Sequence, residues 1–260
     1  EDFYAAMEVE GDTSPVSYGL NSRIVRGKDG KLEEQVWRVG GMYDGALREV
    51  VKWLELAKGV AESPEQDAVI DLLIQYYNTG DLRKWDEFNI AWVALKPGAV
   101  DFIQGFVEVY NDPMGKRGSY ESVVEIIDPE ATRNMSVIQN NAQYFEDNSP
   151  LLPEHKKAKV TGITYGFVNV AGESGDAAPS TPIGVNLPNA DWIRARHGSK
   201  SVSLGNISEA YDRSGGKGSL EEFCHDAEEI ARAEKHAALA GKLHTALHEV
   251  IGHASGQIEK

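Results

Sequence analysis

The sequence predicts a mixed α+β fold, with strands in the middle of the chain and helices at both ends. Apolar residues recur at helical spacing before Leu95 and again after Gly218, whereas runs rich in β-branched residues lie between Val100 and Leu204. The 260 residues, of which 41% are hydrophobic, are enough for a sizeable core.

The first third of the chain predicts a β-hairpin and three helices. The turn sequence Lys28-Asp29-Gly30-Lys31 lies between two alternating runs and predicts a hairpin within Leu20–Val39. Ser63 before Pro64, and Asp81 before the next apolar stripe, are typical helix caps. The helices are predicted at Asp44–Ala61, Pro64–Tyr77 and Asp81–Leu95.

The middle of the chain predicts most of the β structure, with the polar loop 172–182 between its strands. One long helix is expected at Asp128–Phe145 and a short one near Asn189–Arg196. The strands are predicted at Val100–Tyr110, Tyr120–Ile127, Ile163–Val170, Gly184–Leu187 and Ser199–Leu204.

A glycine-rich segment at 215–218 separates the strands from a long C-terminal helical region. Ser219 and Glu222 are spaced as a capping box, which predicts that a helix begins there. The helical pattern continues to about Ser255, with a break expected near Gly241.

Charge and composition restrict the partners and the compartment. The formal net charge of −15 argues against nucleic acid and anionic membranes, and it suits a substrate with a positive group such as a peptide's amino terminus. No membrane-spanning run and no targeting signal are visible, and Cys224 is the only cysteine. These observations predict a cytoplasmic location, with the periplasm left open.

The segment from His244 to His253 carries the chemistry. Zinc peptidases commonly place two histidines four residues apart on a helix, with a glutamate after the first. Here His248 and His253 are five apart, which would separate the rings by about 140° on a regular helix. Gly252 tolerates a distorted backbone, so we expect a widened or broken turn between Glu249 and His253.

A second histidine pair competes with this interpretation. His244 and His248 are four residues apart and share a helix face without distortion, but Thr245 stands where the catalytic base belongs. Geometry favours that pair, whereas chemistry favours His248, Glu249 and His253. A third interpretation is that these histidines bind no metal and lie in solvent or at the edge of the core.

The preferred set predicts a zinc site. The imidazoles of His248 and His253, with one carboxylate, would hold Zn²⁺ and leave a position open for water. Glu249 would act as the general base in peptide hydrolysis. Glu259 is the weak candidate for the third ligand, because it is only six residues beyond His253.

The His-Glu-x-x-Gly-His block resembles the dipeptidyl peptidase III family of zinc exopeptidases. Further similarity lies in Glu108-Val109-Tyr110-Asn111-Asp112-Pro113 and in Gly184-Val185-Asn186-Leu187-Pro188-Asn189. Weaker similarity extends to the segments 81–85 and 201–206.

The resemblance implies roles for further residues. Glu108, Asn186 and Asn189 would hold the substrate's terminal ammonium, and Tyr110 would donate a hydrogen bond to the oxyanion. Carboxylate and amide oxygens are suitable acceptors for an ammonium group, and a tyrosine hydroxyl is a suitable oxyanion donor.

The resemblance also implies two lobes, one containing a β-barrel and the other helical and zinc-carrying, and a chain truncated at both ends. Within it we expect helices and the first strands of the β-rich lobe at 1–127, and a helical excursion toward the upper lobe at 128–160. The remaining strands of that lobe are expected at 161–214 and the zinc-motif helices at 215–260.

The predicted function is zinc-dependent release of dipeptides from the amino terminus of oligopeptides. The family's third zinc ligand is expected beyond Lys260, so the chain itself is expected to bind zinc weakly and to be inactive or nearly so. The alternatives are a peptide-binding scaffold module without catalysis and a zinc endopeptidase.

Overall fold

The computed structural model describes residues 2–96, 98–160, 163–178, 181–214, 218–253 and 255–257. The α-helices of these residues are α1 (Asp2–Ala5), α2 (Asp44–Lys58), α3 (Pro64–Thr79), α4 (Leu82–Ala94), α5 (Pro129–Asn140), α6 (Ala142–Asp147), α7 (Asp191–His197), α8 (Gly205–Ser214), α9 (Gly218–Phe223) and α10 (Ala227–Leu247). The strands are β1 (Ser22–Arg26), β2 (Leu32–Val36), β3 (Val100–Glu108), β4 (Ser119–Ile127), β5 (Ile163–Gly175), β6 (Gly184–Leu187) and β7 (Ser199–Leu204). The predicted mixed α+β class is confirmed.

The chain divides into two compact units. The first contains residues 1–98, 103–122 and 188–197, and the second contains residues 99–102, 123–187 and 198–260. This division differs from the fourfold division predicted along the chain, which remains a prediction.

The first unit contains the predicted hairpin and the three predicted helices. β1 and β2 pair antiparallel, with Arg26 opposite Leu32 across the turn. The Ser63 hydroxyl accepts from the amide of Gln66 at the start of α3, and the Asp81 carboxylate accepts from the amide of Arg83 at the start of α4. Both predicted caps are therefore confirmed.

The five-stranded sheet has the order β3-β4-β5-β7-β6. β5 and β7 are parallel, and β6 and β7 are antiparallel. Lys200 of β7 lies 2.7 Å from Asp101 of β3, although β4 and β5 lie between these strands in the order. Because neighbouring strands are about 4.8 Å apart, this part of the sheet must curl for that buried ion pair to form.

The expected β-barrel is replaced by this curled, open sheet. Among the described residues, β3 and β6 are the outer strands, and no ladder joins them into a closed barrel. Curling brings charged groups of separate strands together on its inner side, which a flat sheet cannot do.

Several predicted boundaries of helices and strands in the second unit were wrong. The helix expected at Asp128–Phe145 is broken at Asn141 into α5 and α6. β5 continues to Gly175, into the expected loop, and α8 follows β7 where no element was predicted. The first residue of α8, Gly205, lies against the ring of Phe167. A side chain at Gly205 would clash with that ring.

The C-terminal helices also differ from the prediction. α9 begins at Gly218, so Ser219 lies inside that helix rather than at its cap. The break precedes Asp226, whose carboxylate accepts from the amide of Glu229 and caps α10, and α10 runs without interruption through Gly241. None of the described helices is long and apolar enough to cross a bilayer.

Candidate metal centre

The helix that carries the histidine motif widens where the five-residue spacing requires it. α10 ends at Leu247 and continues as a π-helical turn over His248–Gly252. The amide of His253 donates to the carbonyl of His248 at 3.2 Å, a bond that spans five residues instead of four. The predicted widened turn is confirmed.

The widened turn brings the two imidazoles onto one side of the helix. The ring centroids of His248 and His253 are 5.0 Å apart, and the rings are nearly perpendicular, at 87°. Together with Glu249 they offer donor atoms that all lie within 4.8 Å of one another. Within the described part of the chain, this cluster does not include His244, so the geometry favours the pair that chemistry favoured.

Glu249 is the buried member of the cluster. Its carboxylate oxygen Oε2 lies 3.8 Å from Nε2 of His253 and has no hydrogen-bond partner among the described residues. Burial raises the pKa of Glu249 to about 7. A buried carboxylate with an oxygen that accepts no hydrogen bond, beside two imidazoles, fits a divalent cation of the kind that zinc peptidases use.

A small apolar cluster fixes the motif helix to the second unit. Val250 and Ala246 are fully buried, and they pack against two residues of α5 and one of β5, namely Met135, Ile138 and Tyr165. Burying a valine side chain stabilises by roughly 1.5–3 kcal/mol. Since Val250 directly follows Glu249, this packing fixes the backbone at Glu249.

The strands β6 and β7 contact the other side of the same turn. A side chain on Gly184 of β6 would clash with the Glu249 carboxylate, so this carboxylate lies against bare backbone. The Ser201 hydroxyl of β7 donates to the carbonyl oxygen of Glu249 at 2.8 Å. The side-chain amide of Asn186 donates to the same hydroxyl at 2.5 Å. Asn186, a predicted site residue, is therefore linked to the backbone of Glu249 by two hydrogen bonds through Ser201.

The other predicted substrate-binding residues lie in the first unit. The side-chain amide of Asn189 donates to the Glu108 carboxylate at 3.2 Å. Partial desolvation, followed by a hydrogen bond to Glu108 and the charge of that carboxylate, raises the pKa of Tyr110. A tyrosine that keeps its proton can donate a hydrogen bond. Glu108, Tyr110 and Asn189 therefore form one polar cluster, and their roles remain predictions.

A buried carboxylate anchors the segment that follows His253. Glu146 of α6 is fully buried and accepts from the amide of Gly256 at 3.1 Å and from the amide of Lys157 at 2.6 Å. Glu259, the weak candidate for a third ligand, lies outside the described residues.

Sequence reasoning did not find Ser201, Gly184 or Glu146 as contributors to the site. Gly184 and Ser201 contact Glu249, and Glu146 binds the amide of Gly256, in each case from a distant part of the chain. The hydroxyl of Ser201 and the carbonyl of Glu249 are 48 residues apart. Gly184 and Ser201 lie in segments that carry the family resemblance, but nothing in those segments assigns either residue a contact with the histidine motif.

The widened helical turn places two imidazoles beside a buried carboxylate, next to a mixed sheet. This set of donor groups is typical of a metallopeptidase. Comparison with family models agrees, since the model of peptidase family M49 matches residues 21–259. The chain belongs to peptidase family M49 and is of the dipeptidyl peptidase III type.

Curated relatives and solved structures give the same result. Dipeptidyl peptidase 3 of Nematostella vectensis is 29% identical over 218 residues, which cover 84% of this chain and 29% of the relative. The human dipeptidyl peptidase 3 is 27% identical, covering 96% of this chain and 35% of the relative. The structure of dipeptidyl peptidase III from Caldithrix abyssi matches with a TM-score of 0.76 at 24% identity, covering 91% of this chain and 44% of that one. The structure of dipeptidyl-peptidase III from Corallococcus sp. strain EGB matches with a TM-score of 0.77 at 22% identity, covering 96% of this chain and 44% of that one.

The chain corresponds to only part of each of these relatives. The chain spans about a third of the length of these curated relatives, 29% and 35%. Similarity to the two solved structures, at 24% and 22% identity, supports the fold.

Proposed function

We propose that this chain carries the metal-binding motif of a zinc-dependent exopeptidase that releases dipeptides from the amino terminus of oligopeptides. The observation that carries the proposal is the π-helical turn, which places the rings of His248 and His253 5.0 Å apart with Glu249 between them in sequence. A pure binding module needs no carboxylate in that place.

In this proposal the two histidines bind the metal and Glu249 transfers protons. A zinc ion, when bound, supplies Lewis acidity, which lowers the pKa of water and polarises the scissile carbonyl. His248 and His253 would hold the ion through their neutral imidazoles. Glu249, buried and with its pKa raised to about 7, would accept the proton of the attacking water and deliver it to the leaving amine.

Recognition of the amino terminus is assigned to acceptor groups. The Glu108 carboxylate would bind the substrate ammonium, supported by Asn189, which already donates to it at 3.2 Å. The buried Oδ1 of Asn186 has no hydrogen-bond partner among the described residues, which supports a role as a further acceptor. Tyr110 would donate to the oxyanion. A cytoplasmic location remains part of this proposal.

Hydrolysis of a chromogenic dipeptidyl arylamide in the presence of Zn²⁺ tests the proposal, with zinc binding measured in parallel. At protein concentrations high enough for the unchanged chain to give measurable turnover, Glu249→Gln is expected to abolish that hydrolysis while zinc binding remains. Acetylation of the substrate's amino group is expected to prevent cleavage, because it removes the charge that Glu108 would bind. No turnover by the unchanged protein, with peptide binding that Glu249→Gln leaves unaffected, would point to a binding module. Turnover that survives Glu249→Gln would refute the role of Glu249 as base, and cleavage of the acetylated substrate would point to an endopeptidase.

A full-length relative in the same assay tests the expectation of low activity in this chain. Among the described residues, the metal cluster offers two imidazoles besides the base, whereas catalytic zinc sites usually have three protein ligands. We therefore expect this chain to turn over substrate far more slowly than the relative. Equal rates would refute that expectation.

A further inference from the structure

The widened turn creates a hydrogen-bonding requirement at Glu249. In a regular helix, the amide of His253 would donate to the carbonyl of Glu249, four residues earlier. Here that amide donates to the carbonyl of His248 instead. The Glu249 carbonyl has thus lost its usual helical donor, at a residue that is only 5% exposed. Buried carbonyl groups without a donor are costly, so a replacement is expected.

Ser201 supplies that replacement from another part of the fold. Its side chain is fully buried in β7, and its hydroxyl donates to the Glu249 carbonyl at 2.8 Å. A hydroxyl has one proton, and the Asn186 amide can only donate to it, so the proton is directed toward Glu249. The three groups form a chain from Asn186 through Ser201 to the backbone of the base.

The same two strands also determine where the Glu249 side chain lies. Gly184 of β6 pairs with Ser203 of β7, and Asn186 pairs with Ser201. Gly184 leaves room for the carboxylate, while Ser201 holds the carbonyl of the same residue. Side chain and backbone of Glu249 are therefore both placed by the β6–β7 pair.

We propose that Ser201 is a positioning residue, whose hydroxyl stabilises the π-helical turn and thereby keeps both imidazoles and the Glu249 carboxylate in place. The role of the turn in metal binding rests on the proposed function. The stabilisation of the turn itself does not.

The test compares Ser201→Ala with Ser199→Ala in the metal-free protein and with Zn²⁺ or Co²⁺ added. Ser199 also accepts from Asn186, at 3.0 Å, and its hydroxyl is not hydrogen-bonded to Glu249. It is therefore a matched control on the same strand. Hydrogen exchange of a peptide covering residues 248–253 reports on the turn without metal, and the visible spectrum of bound Co²⁺ reports on ligand geometry.

Ser201→Ala is expected to speed exchange in residues 248–253 on the order of fivefold, as loss of one hydrogen bond implies, while Ser199→Ala does not. It is also expected to weaken Zn²⁺ binding about tenfold, in the range found for groups that support metal ligands, and to alter the Co²⁺ spectrum. A folded Ser201→Ala protein with unchanged exchange overturns the inference. Faster exchange in a protein that binds no metal supports the role of Ser201 in the turn and contradicts only the proposed function.

Discussion

The amide of His253 donates to the carbonyl of His248 at 3.2 Å, one residue farther back than a regular helix allows. This bond converts a spacing of five residues into a shared face for two imidazoles. The same bond distinguishes this pair from the alternative pair of His244 and His248, which would share a face on a regular helix without distortion. Each of these consequences can be measured.

Alanine substitution of the two competing histidines distinguishes the pairs. His253→Ala is expected to reduce Zn²⁺ affinity by more than about 100-fold, because it removes a ligand and not merely a supporting group. His244→Ala is expected to leave the affinity close to that of the unchanged protein, since His244 is not in the donor cluster. Titration against a competing chelator measures both. The reverse order of effects would reassign the site to the regular helical pair.

The buried Glu125 predicts a pH dependence of stability. Burial, reinforced by the charge of Asp101 and opposed by Lys200, raises the pKa of Glu125 from 4.5 to about 8. Between those values the folded state holds a proton that the unfolded state has released. The free energy of unfolding therefore falls as pH rises through this range, and the stability is fully present only below the lower value.

Glu125→Gln tests this dependence. Glutamine cannot ionise, so the variant is expected to lose less stability between about pH 5 and about pH 9 than the unchanged protein, by on the order of a few kcal/mol. Urea unfolding at both pH values measures the difference, and similar stabilities at the lower pH show that glutamine fits the site. An identical pH slope in both proteins contradicts the buried, protonated state of Glu125.

Glu146 predicts the stability of the segment beyond the second histidine. Glu146→Ala would leave the amides of Lys157 and Gly256 without their acceptor, at a cost of about 1–3 kcal/mol for each amide that stays buried. Hydrogen exchange at residues 255–257 is expected to accelerate. Glu154→Gln is the control, because the exposed Glu154 contacts this segment through its backbone carbonyl. Equal exchange in the two variants would show that the Glu146 carboxylate does not anchor the segment.

Two glycines with positive φ predict different costs for the same substitution. Gly30, in the hairpin turn, has φ 82° and open space around it, whereas Gly80, at the end of α3, has φ 71° and faces Val36. Gly30→Ala is expected to cost about 1 kcal/mol from backbone strain alone. Gly80→Ala adds a clash with Val36 and should cost clearly more. Thermal unfolding of the two variants compares them directly, and equal losses would exclude the clash.

Local rules predicted the parts of the fold whose causes are local. The caps at Ser63 and Asp81 and the hairpin at Gly30 depend on neighbouring residues, and they form where expected. The widened turn was predictable because the His248 and His253 spacing excludes a regular helix if both are to bind one ion. These features follow from geometry within a few residues.

Features with distant causes were missed. α8 begins at Gly205, which lies against Phe167 almost forty positions earlier, and the sequence shows no sign of this contact. The expected break at Gly241 did not occur, because one exposed glycine costs a helix only about 1 kcal/mol, whereas Asp226 supplies a side-chain cap. Ser201 lies in a segment that resembles the family, but only the fold shows that its hydroxyl donates to Glu249.

The long separation between Ser201 and Glu249 has a consequence for the order of folding. The two imidazoles are only five positions apart, but they share a face through the widened turn and not through a regular helix. The hydroxyl that donates to the Glu249 carbonyl comes from 48 residues away, and the ion pair across the curled sheet joins positions 99 residues apart. Contacts between distant positions close slowly. The regular part of the motif helix can therefore form early from local contacts, whereas the widened turn and the Glu249 carboxylate are expected to reach their final geometry only after the strands have come together.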